Sequence, residues 1–151
     1  MTKVRGFEKI SAYKDKEFPM PRRQTKASAG YDIYLPDDAV IPAHGQTMVP
    51  TGVKAYMQGN EYLGIHIRSS MAIKRHLRLL NNEGIVDADY YNNPDNEGHI
   101  MLALANDTDE DIVLKKGERA AQGIFYSYLL ADDDDKAPKA DRSGGFGSTS
   151  K

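Results

Sequence analysis

Apolar and polar positions along this chain alternate in short runs and rarely recur at helical spacing. In GYDIYL (30–35), Tyr31, Ile33 and Leu35 alternate with Asp32 and Tyr34, the period of two that marks a half-buried strand. The next stretch, PDDAVIPAHGQ (36–46), carries Pro36, Asp37, Pro42 and Gly45 and reads as turns. Two further runs, 46–57 and 61–69, flank Gln58-Gly59-Asn60, which suggests a hairpin. Within the second, Leu63, Ile65 and Ile67 alternate with Gly64 and His66. HIMLALAN (99–106), IVLKKGE (112–118) and QGIFYSY (122–128) continue the series, with the turn DTDED at 107–111. Short strands every ~8–12 residues predict an all-β sandwich or barrel.

One segment departs from this pattern. SSMAIKRHLRLL (69–80) sets Met71, Ile73 and Leu77 near one face and predicts a single short helix, with the two serines available as caps. The last residues, 131–151, differ in kind. Phe146 is their only large apolar side chain, and so many charges and glycines cannot offset the entropy of ordering on their own. The expected organisation is a β domain over 1–130 followed by a flexible C-terminal arm over 131–151.

Composition narrows the field. At 151 residues, one domain is expected. Twenty Lys+Arg against 22 Asp+Glu leave a net charge of −2, which argues against stable nucleic-acid binding through phosphate neutralisation. With no Cys, disulfides, thiolate metal sites and a cysteine nucleophile are excluded, and a reducing compartment fits. No stretch has the length of a membrane span or the form of a signal peptide, so a cytoplasmic protein without membrane association is expected.

Several groups could carry chemistry. His44, His66, His76 and His99 are too scattered to suggest a metal site or a triad. GFGSTS (145–150) falls one glycine short of a dinucleotide-binding fingerprint and has no helix after it. Arg68-Ser69-Ser70, where a strand feeds the helix, would suit phosphate. On those residues alone, an ordinary cap beside a surface arginine is the better reading. GIVDADYY (84–91) holds Asp87 and Asp89 in a β-like run, with Asp87, Asp89 and Tyr91 on one face and Val86, Ala88 and Tyr90 on the other. A carboxylate beside apolar neighbours can act as a general base, although on these residues alone a solvated turn carboxylate is the better reading. DDDDK (132–136) reads as a solvated charge run. RSGGFGSTS (142–150) offers Arg142, three glycines, two hydroxyls and an aromatic ring, which suits an arm ordering over a nucleotide polyphosphate.

Taken in order, AGYDIYLP (29–36), RSSMA (68–72), GIVDADYY (84–91), GERAAQGIF (117–125) and RSGGFGSTS (142–150) resemble the five motifs of the trimeric dUTPases. The resemblance implies a jelly-roll-like β-barrel and a homotrimer with shared sites, in which the arm closes the site of a neighbouring subunit. It implies hydrolysis of dUTP to dUMP and pyrophosphate with Mg²⁺ held mainly by the triphosphate. By position, Asp87 would activate water and Asp32 would orient waters around Mg²⁺. Arg68, Ser69, Ser70 and Gln122 would hold phosphate oxygens. Asn81 and the backbone of Gly84, Ile85, Val86 and Asp87 would line the uracil slot as a β-hairpin, with Met101 at its edge. Tyr90 would pack under the deoxyribose. Arg142, Gly147, Ser148 and Thr149 would grip the γ-phosphate while Phe146 covers the base.

The chain departs from the family pattern at three places. NNPDNE (92–97) intervenes before Gly98 and is expected to protrude as a loop; it is similar to insertions in bacteriophage members, some of which bind regulatory proteins. Ser70 stands where many members carry Gly, and Ser150 ends the arm in place of Gly. A regulatory binding protein on the same scaffold, a dCTP deaminase and a nucleic-acid-binding barrel are the competing expectations.

Overall fold

The computed structural model describes residues 2–145. Among them are eleven strands and one α-helix. The strands are β1 (Gly6–Lys9), β2 (Tyr31–Tyr34), β3 (Ala39–Ile41), β4 (Gly45–Pro50), β5 (Val53–Tyr56) and β6 (Glu61–Ile67), followed after the helix by β7 (Leu77–Leu79), β8 (Gly84–Asp87), β9 (Met101–Asn106), β10 (Ile112–Leu114) and β11 (Arg119–Ser127). The helix, α1, spans Ser69–Arg75.

All strand pairings are antiparallel. One sheet has the order β2-β11-β6-β8 and a second the order β4-β9-β7, while β1 pairs with β5 and β3 with β10. The nine-residue β11 is the spine of the larger sheet, bonded to β2 on one side and β6 on the other. Neighbours in sequence are mostly not neighbours in a sheet, the exchange expected of a jelly-roll-like barrel.

The apolar strand positions supply the core, although burial does not alternate strictly: Asp32 in β2 and Gly64 in β6 are buried beside their apolar neighbours. Ile33, Leu35, Ile41, Val49, Leu63, Leu77, Leu79, Leu102, Leu104 and Leu114 fill the interior between the sheets. Each is worth ~1.5–3 kcal/mol relative to an exposed position. One fully buried amide sits among them. Asn106 donates from Nδ2 to the carbonyls of Ile41 and Glu110, and its Oδ1 accepts from the Thr108 amide and hydroxyl. All its hydrogen-bonding capacity is thus used in tying β9 to the turn that follows, and no burial penalty remains.

Several local expectations are corrected. The segment 69–80 is half helix and half strand. His76 adopts the left-handed conformation (φ 57°), ends α1, and lets Leu77–Leu79 pair with β9. Arg68, not a serine, occupies the N-cap, and no side chain caps the helix there. Met71 is buried as expected, but Ile73 is 74% exposed because a seven-residue helix does not run far enough to bring it onto the core with Leu77. The runs around Gln58-Gly59-Asn60 do not pair with each other, since β5 joins β1 whereas β6 joins β11 and β8. The turn itself is real, with the Glu61 amide donating to the Gln58 carbonyl.

Candidate active site

The residues carried over from the family resemblance fall into two groups. The first surrounds a cavity of about 280 Å³ lined by Ile65, Asn81, Gly84, Ile85, Val86, Asp87, Tyr90, Ile100, Met101, Arg142 and Gly145. That volume lies just below the range of small-molecule pockets and suits a base and sugar better than a whole triphosphate.

Its wall is β8. This strand bonds to β6 through Tyr62–Asp87, Leu63–Val86, Gly64–Ile85 and Ile65–Gly84, and it is the edge of its sheet. An edge strand keeps one row of N–H and C=O groups unpaired. The expected hairpin is therefore not a paired hairpin. β7 belongs to the other sheet, and residues 80–83 only bridge the two, with Asn82 in the left-handed region at φ 59°. Free of β7, the β8 backbone can present its polar groups to a ligand.

The strand stops at Asp87, and Ala88–Tyr90 forms a 3-10 turn. That turn replaces the simple alternation expected for 84–91, yet Asp87 and Asp89 still reach one partner. Arg142 bonds Asp87 Oδ2 through Nη2 at 2.6 Å and Asp89 Oδ1 through Nε at 2.8 Å. Its side chain is 15% exposed, its Cζ lies 5.9 Å from the centre of the Tyr90 ring, and Nη1 donates to the Gly144 carbonyl at 3.0 Å. Beyond β11 the chain thus runs mostly exposed to Asp141 and returns to the barrel at Arg142.

Tyr90 is the apolar floor of the cavity. Its hydroxyl donates to the His99 carbonyl at 2.6 Å and accepts from Asn96 Nδ2 at 2.9 Å. Burial raises its pKa, so it stays a neutral donor. His99 is held in turn by the Gly52 amide, which donates to Nε2 at 2.9 Å and places the neutral ring's proton on Nδ1. Burial lowers its pKa, keeping that ring neutral.

The second group lies at the junction of β2, β6, β11 and α1. Asp32 is 7% exposed and sits between Arg119 Nη1 (3.1 Å to Oδ2) and Arg68 Nε (3.5 Å to Oδ1). Arg68 also donates to the Arg119 carbonyl at 3.0 Å. Gln122 stands opposite Asp32 in the register of β11 and β2. Ser69 and Ser70 open α1 beside Arg68. None of these residues lines the cavity around Asp87. Asn81, Gly84, Ile85, Val86, Asp87, Tyr90, Met101 and Arg142 are brought together; Asp32, Arg68, Ser69, Ser70 and Gln122 gather elsewhere. Phe146, Gly147, Ser148 and Thr149 lie outside the described residues.

Among the described residues no cluster of three or more His, Asp or Glu side chains could hold a metal. The chemistry near the site offers single carboxylates, of which Asp32 already faces two guanidinium groups. Such groups can meet the water shell of a metal brought in by a ligand, as a protein cage is lacking here.

Several site residues carried no sequence signal of their role. Arg119 belongs to the fourth motif but shows itself as the partner of Asp32 only once β11 lies beside β2. Asn96 was read as turn chemistry, and its bond to Tyr90 requires the folded loop. Glu97, at the end of the inserted loop, is bound to Lys54 at 2.8 Å and to the Ser11 hydroxyl at 2.9 Å and does not line the cavity.

A small antiparallel barrel with a base-sized pocket on a strand edge, a carboxylate at its mouth and a separate arginine cluster defines a class of nucleotide-binding β domain. Comparison with known proteins is specific. The family model for dUTPase matches residues 16–150. The deoxyuridine 5'-triphosphate nucleotidohydrolase of Lactococcus lactis is 48% identical over 97% of this chain and 98% of its own length. A dUTPase crystal structure from Streptococcus mutans superposes with a TM-score of 0.80 at 48% identity, covering 84% of this chain and 98% of that one. A mutant dUTPase from phage phi11 of Staphylococcus aureus, described with a structural Mg(II) ion, shares the fold (TM-score 0.68) over 96% of this chain and 99% of its own, at 17% identity. The chain belongs to the dUTPase family.

Proposed function

We propose that the β8 edge, Tyr90 and Asp87 form the deoxyuridine end of the active site of a dUTP-hydrolysing enzyme. The enzyme converts dUTP and water to dUMP and pyrophosphate, which keeps uracil out of DNA and supplies dUMP for thymidylate synthesis. The observation that carries the site assignment is the unpaired edge of Gly84–Asp87 facing a base-sized cavity. Uracil presents acceptor, donor and acceptor along one edge, which a strand's fixed N–H and C=O groups can match. Cytosine reverses two of these positions, with N3 an acceptor and the 4-amino group a donor, and would leave buried polar groups unpaired, a strong basis for rejection. Tyr90 offers its ring to the sugar, and crowding there excludes a 2′-hydroxyl.

Asp87 takes a proton from water, the water oxygen bonds to the α-phosphorus, and the bond from that phosphorus to the bridging oxygen breaks to release pyrophosphate. Magnesium, carried mainly by the triphosphate, neutralises charge on its oxygens when bound. Arg68, Ser69, Ser70 and Gln122 donate to the phosphates, and Asp32 is the residue that would hold water of the metal's shell. Arg142 rests on Asp87 and Asp89 without a nucleotide and transfers to the γ-phosphate when one binds, with Phe146, Gly147, Ser148 and Thr149 following it.

The separation of the arginine cluster from the cavity supports a homotrimer in which one chain's pocket is completed by another chain's Arg68 group and by a neighbour's arm. Among the described residues, no helix is long and apolar enough to cross a membrane. We place the enzyme in the cytoplasm, that of the host if a phage encodes it. Binding of a regulatory protein at 92–97 is a second reading, supported by the exposed Pro94 and Asp95 at the loop's tip. Pull-downs in which a 92–97 deletion loses no partner would remove it.

The main test follows pyrophosphate release from dUTP, dCTP, dTTP and UTP with Mg²⁺, for wild type and Asp87→Asn, after light scattering on both. Release from dUTP alone, lost in the variant, is the expected result. Release from none of the four by a folded trimer would overturn the reading.

A further inference from the structure

The 92–97 insertion exposes Asn92, Pro94 and Asp95, but its base and interior are tied down by hydrogen bonds. Lys54, only 8% exposed, donates to Glu97 Oε2 at 2.8 Å and to Asn92 Oδ1 at 2.5 Å, closing the base of the loop. Ser11 adds its hydroxyl to the same Glu97 oxygen at 2.9 Å. Asn93 is buried and organises the interior. Its Nδ2 donates to the Tyr90 carbonyl at 2.7 Å and to Asn96 Oδ1 at 2.8 Å, and its Oδ1 accepts from the Asp95 and Asn96 amides at 3.0 and 3.1 Å. Asn96 Oδ1 also accepts from the Gly98 amide at 3.0 Å, and Nδ2 reaches the Tyr90 hydroxyl. The loop is therefore a rigid extension of the pocket floor.

Two glycines of the arm rest against it. A Cβ placed on Gly144 would lie 2.9 Å from Asp95 Cβ and 3.1 Å from Asp95 Oδ2. One on Gly145 would lie 2.8 Å from Tyr90 Cε1 and 3.3 Å from Asn96 Nδ2. Neither glycine has a positive φ, so close approach, and not backbone conformation, is what calls for glycine at both positions.

The geometry points to a role for the insertion: it is the ledge that receives the C-terminal arm. Asp95 and Asn96 seat Gly144 and Gly145 beside Tyr90 at the pocket mouth. Asn96 acts as a positioning residue, joining the ledge to the Tyr90 hydroxyl. The inference rests on the assignment of the Asp87 pocket to dUTP only for its kinetic consequence, because the contact itself involves Asp95, Asn96 and Tyr90 alone. It holds whether the arm seats on its own chain or on a neighbour's.

Steric rescue tests it. Gly144→Ala adds the clashing carbon, and Asp95→Gly removes the carbon it meets. Trypsin digestion without nucleotide reads the contact directly, since Arg142 is covered in the seated arm while Lys139 is open. Cleavage after Arg142 should quicken about tenfold relative to Lys139 in Gly144→Ala and return to within about threefold of wild type in the double variant. KM for dUTP should rise about tenfold in Gly144→Ala and recover in the double variant, consistent with the sensitivity of catalysis to small misplacements. Gly145→Ala, which meets Tyr90 instead, should be impaired and gain nothing from Asp95→Gly. Cleavage in Gly144→Ala equal to wild type, or a double variant as open as Gly144→Ala, would overturn the ledge. A wild type that does not hydrolyse dUTP, with the cleavage pattern as expected, would remove the dUTP assignment and leave the ledge standing.

Discussion

The cavity around Asp87 and the cluster around Asp32 are built on opposite principles. The cavity is assembled by local chain: β8, the 3-10 turn after it and the 92–97 loop follow one another in sequence, and a single segment supplies wall, carboxylate, floor and ledge. The Asp32 cluster is assembled by sheet pairing, with Asp32, Arg68 and Arg119 drawn from β2, the end of β6 and β11. A locally built pocket has its wall, carboxylate and floor in one chain. The Asp32, Arg68 and Arg119 cluster lines none of the cavity around Asp87, which fits the proposal that it serves as half of a site whose other half comes from another subunit.

The largest effect should come from separating the two regions. If Arg68 holds phosphate as proposed, Arg68→Ala should lower kcat/KM by about 10²–10³-fold, the scale of losing one transition-state donor. Asp87→Asn should be at least as damaging. Refolding the two inactive variants together in equal amounts then gives an unambiguous readout. If pocket and cluster meet across a subunit boundary, a site with Asp87 from one chain and Arg68 from another forms in about a quarter of random pairings, and about a quarter of the wild-type rate returns. No recovery would place both regions of each working site in the same chain and break the comparison.

A smaller effect should distinguish the pocket's floor from its chemistry. Tyr90→Phe keeps the ring but deprives the His99 carbonyl of its donor and Asn96 of its acceptor. Leaving such groups unsatisfied costs about 1–3 kcal/mol of stability. KM for dUTP should rise a few-fold while kcat changes little, because Asp87 is untouched. A variant with lowered kcat and unchanged KM would mean that the hydroxyl takes part in the chemical step.

How much of this was legible in the sequence follows from the same contrast. Period-two alternation gave β2, β9 and β11 because one face of each is buried, and that face is visible in residue type. It could not show that β5 and β6 belong to different sheets, since pairing partners are chosen by the whole barrel. The helix 69–80 was half right: Met71 marks its buried face, but His76 in the left-handed region, a conformation uncommon outside Gly and Asn, ends it without any glycine or proline signal. The bonding inside the 92–97 loop was hidden for a related reason. Asn, Pro and Asp are turn residues, and nothing local distinguishes an amide facing solvent from one that bonds the Tyr90 carbonyl. Asp87 was found by motif, whereas its pairing with Arg142, 55 residues on, is purely tertiary.

The smallest effect concerns pH and sets the pocket's support apart from its carboxylates. His99 accepts the Gly52 amide on Nε2, so its neutral form is the folded one, and burial holds its pKa below the ordinary 6.5. On acidification the unfolded chain therefore takes up this proton first. The His99 contribution is complete above pH 6.5 and is lost as pH falls through the folded value. The Lys54 partner of Glu97 lowers that carboxyl below 4.5, so the stability it lends is full above pH 4.5 and drains only in a more acid window. Urea midpoints measured from pH 8 to pH 4 should accordingly show a plateau, a shallow decline beginning near 6.5 and a second decline below 4.5. His99→Gln should be less stable throughout and should flatten the first decline while leaving the second. A first decline of unchanged slope in that variant would assign it to groups outside the pocket, and the Tyr90 floor would then owe its geometry to the His99 backbone alone.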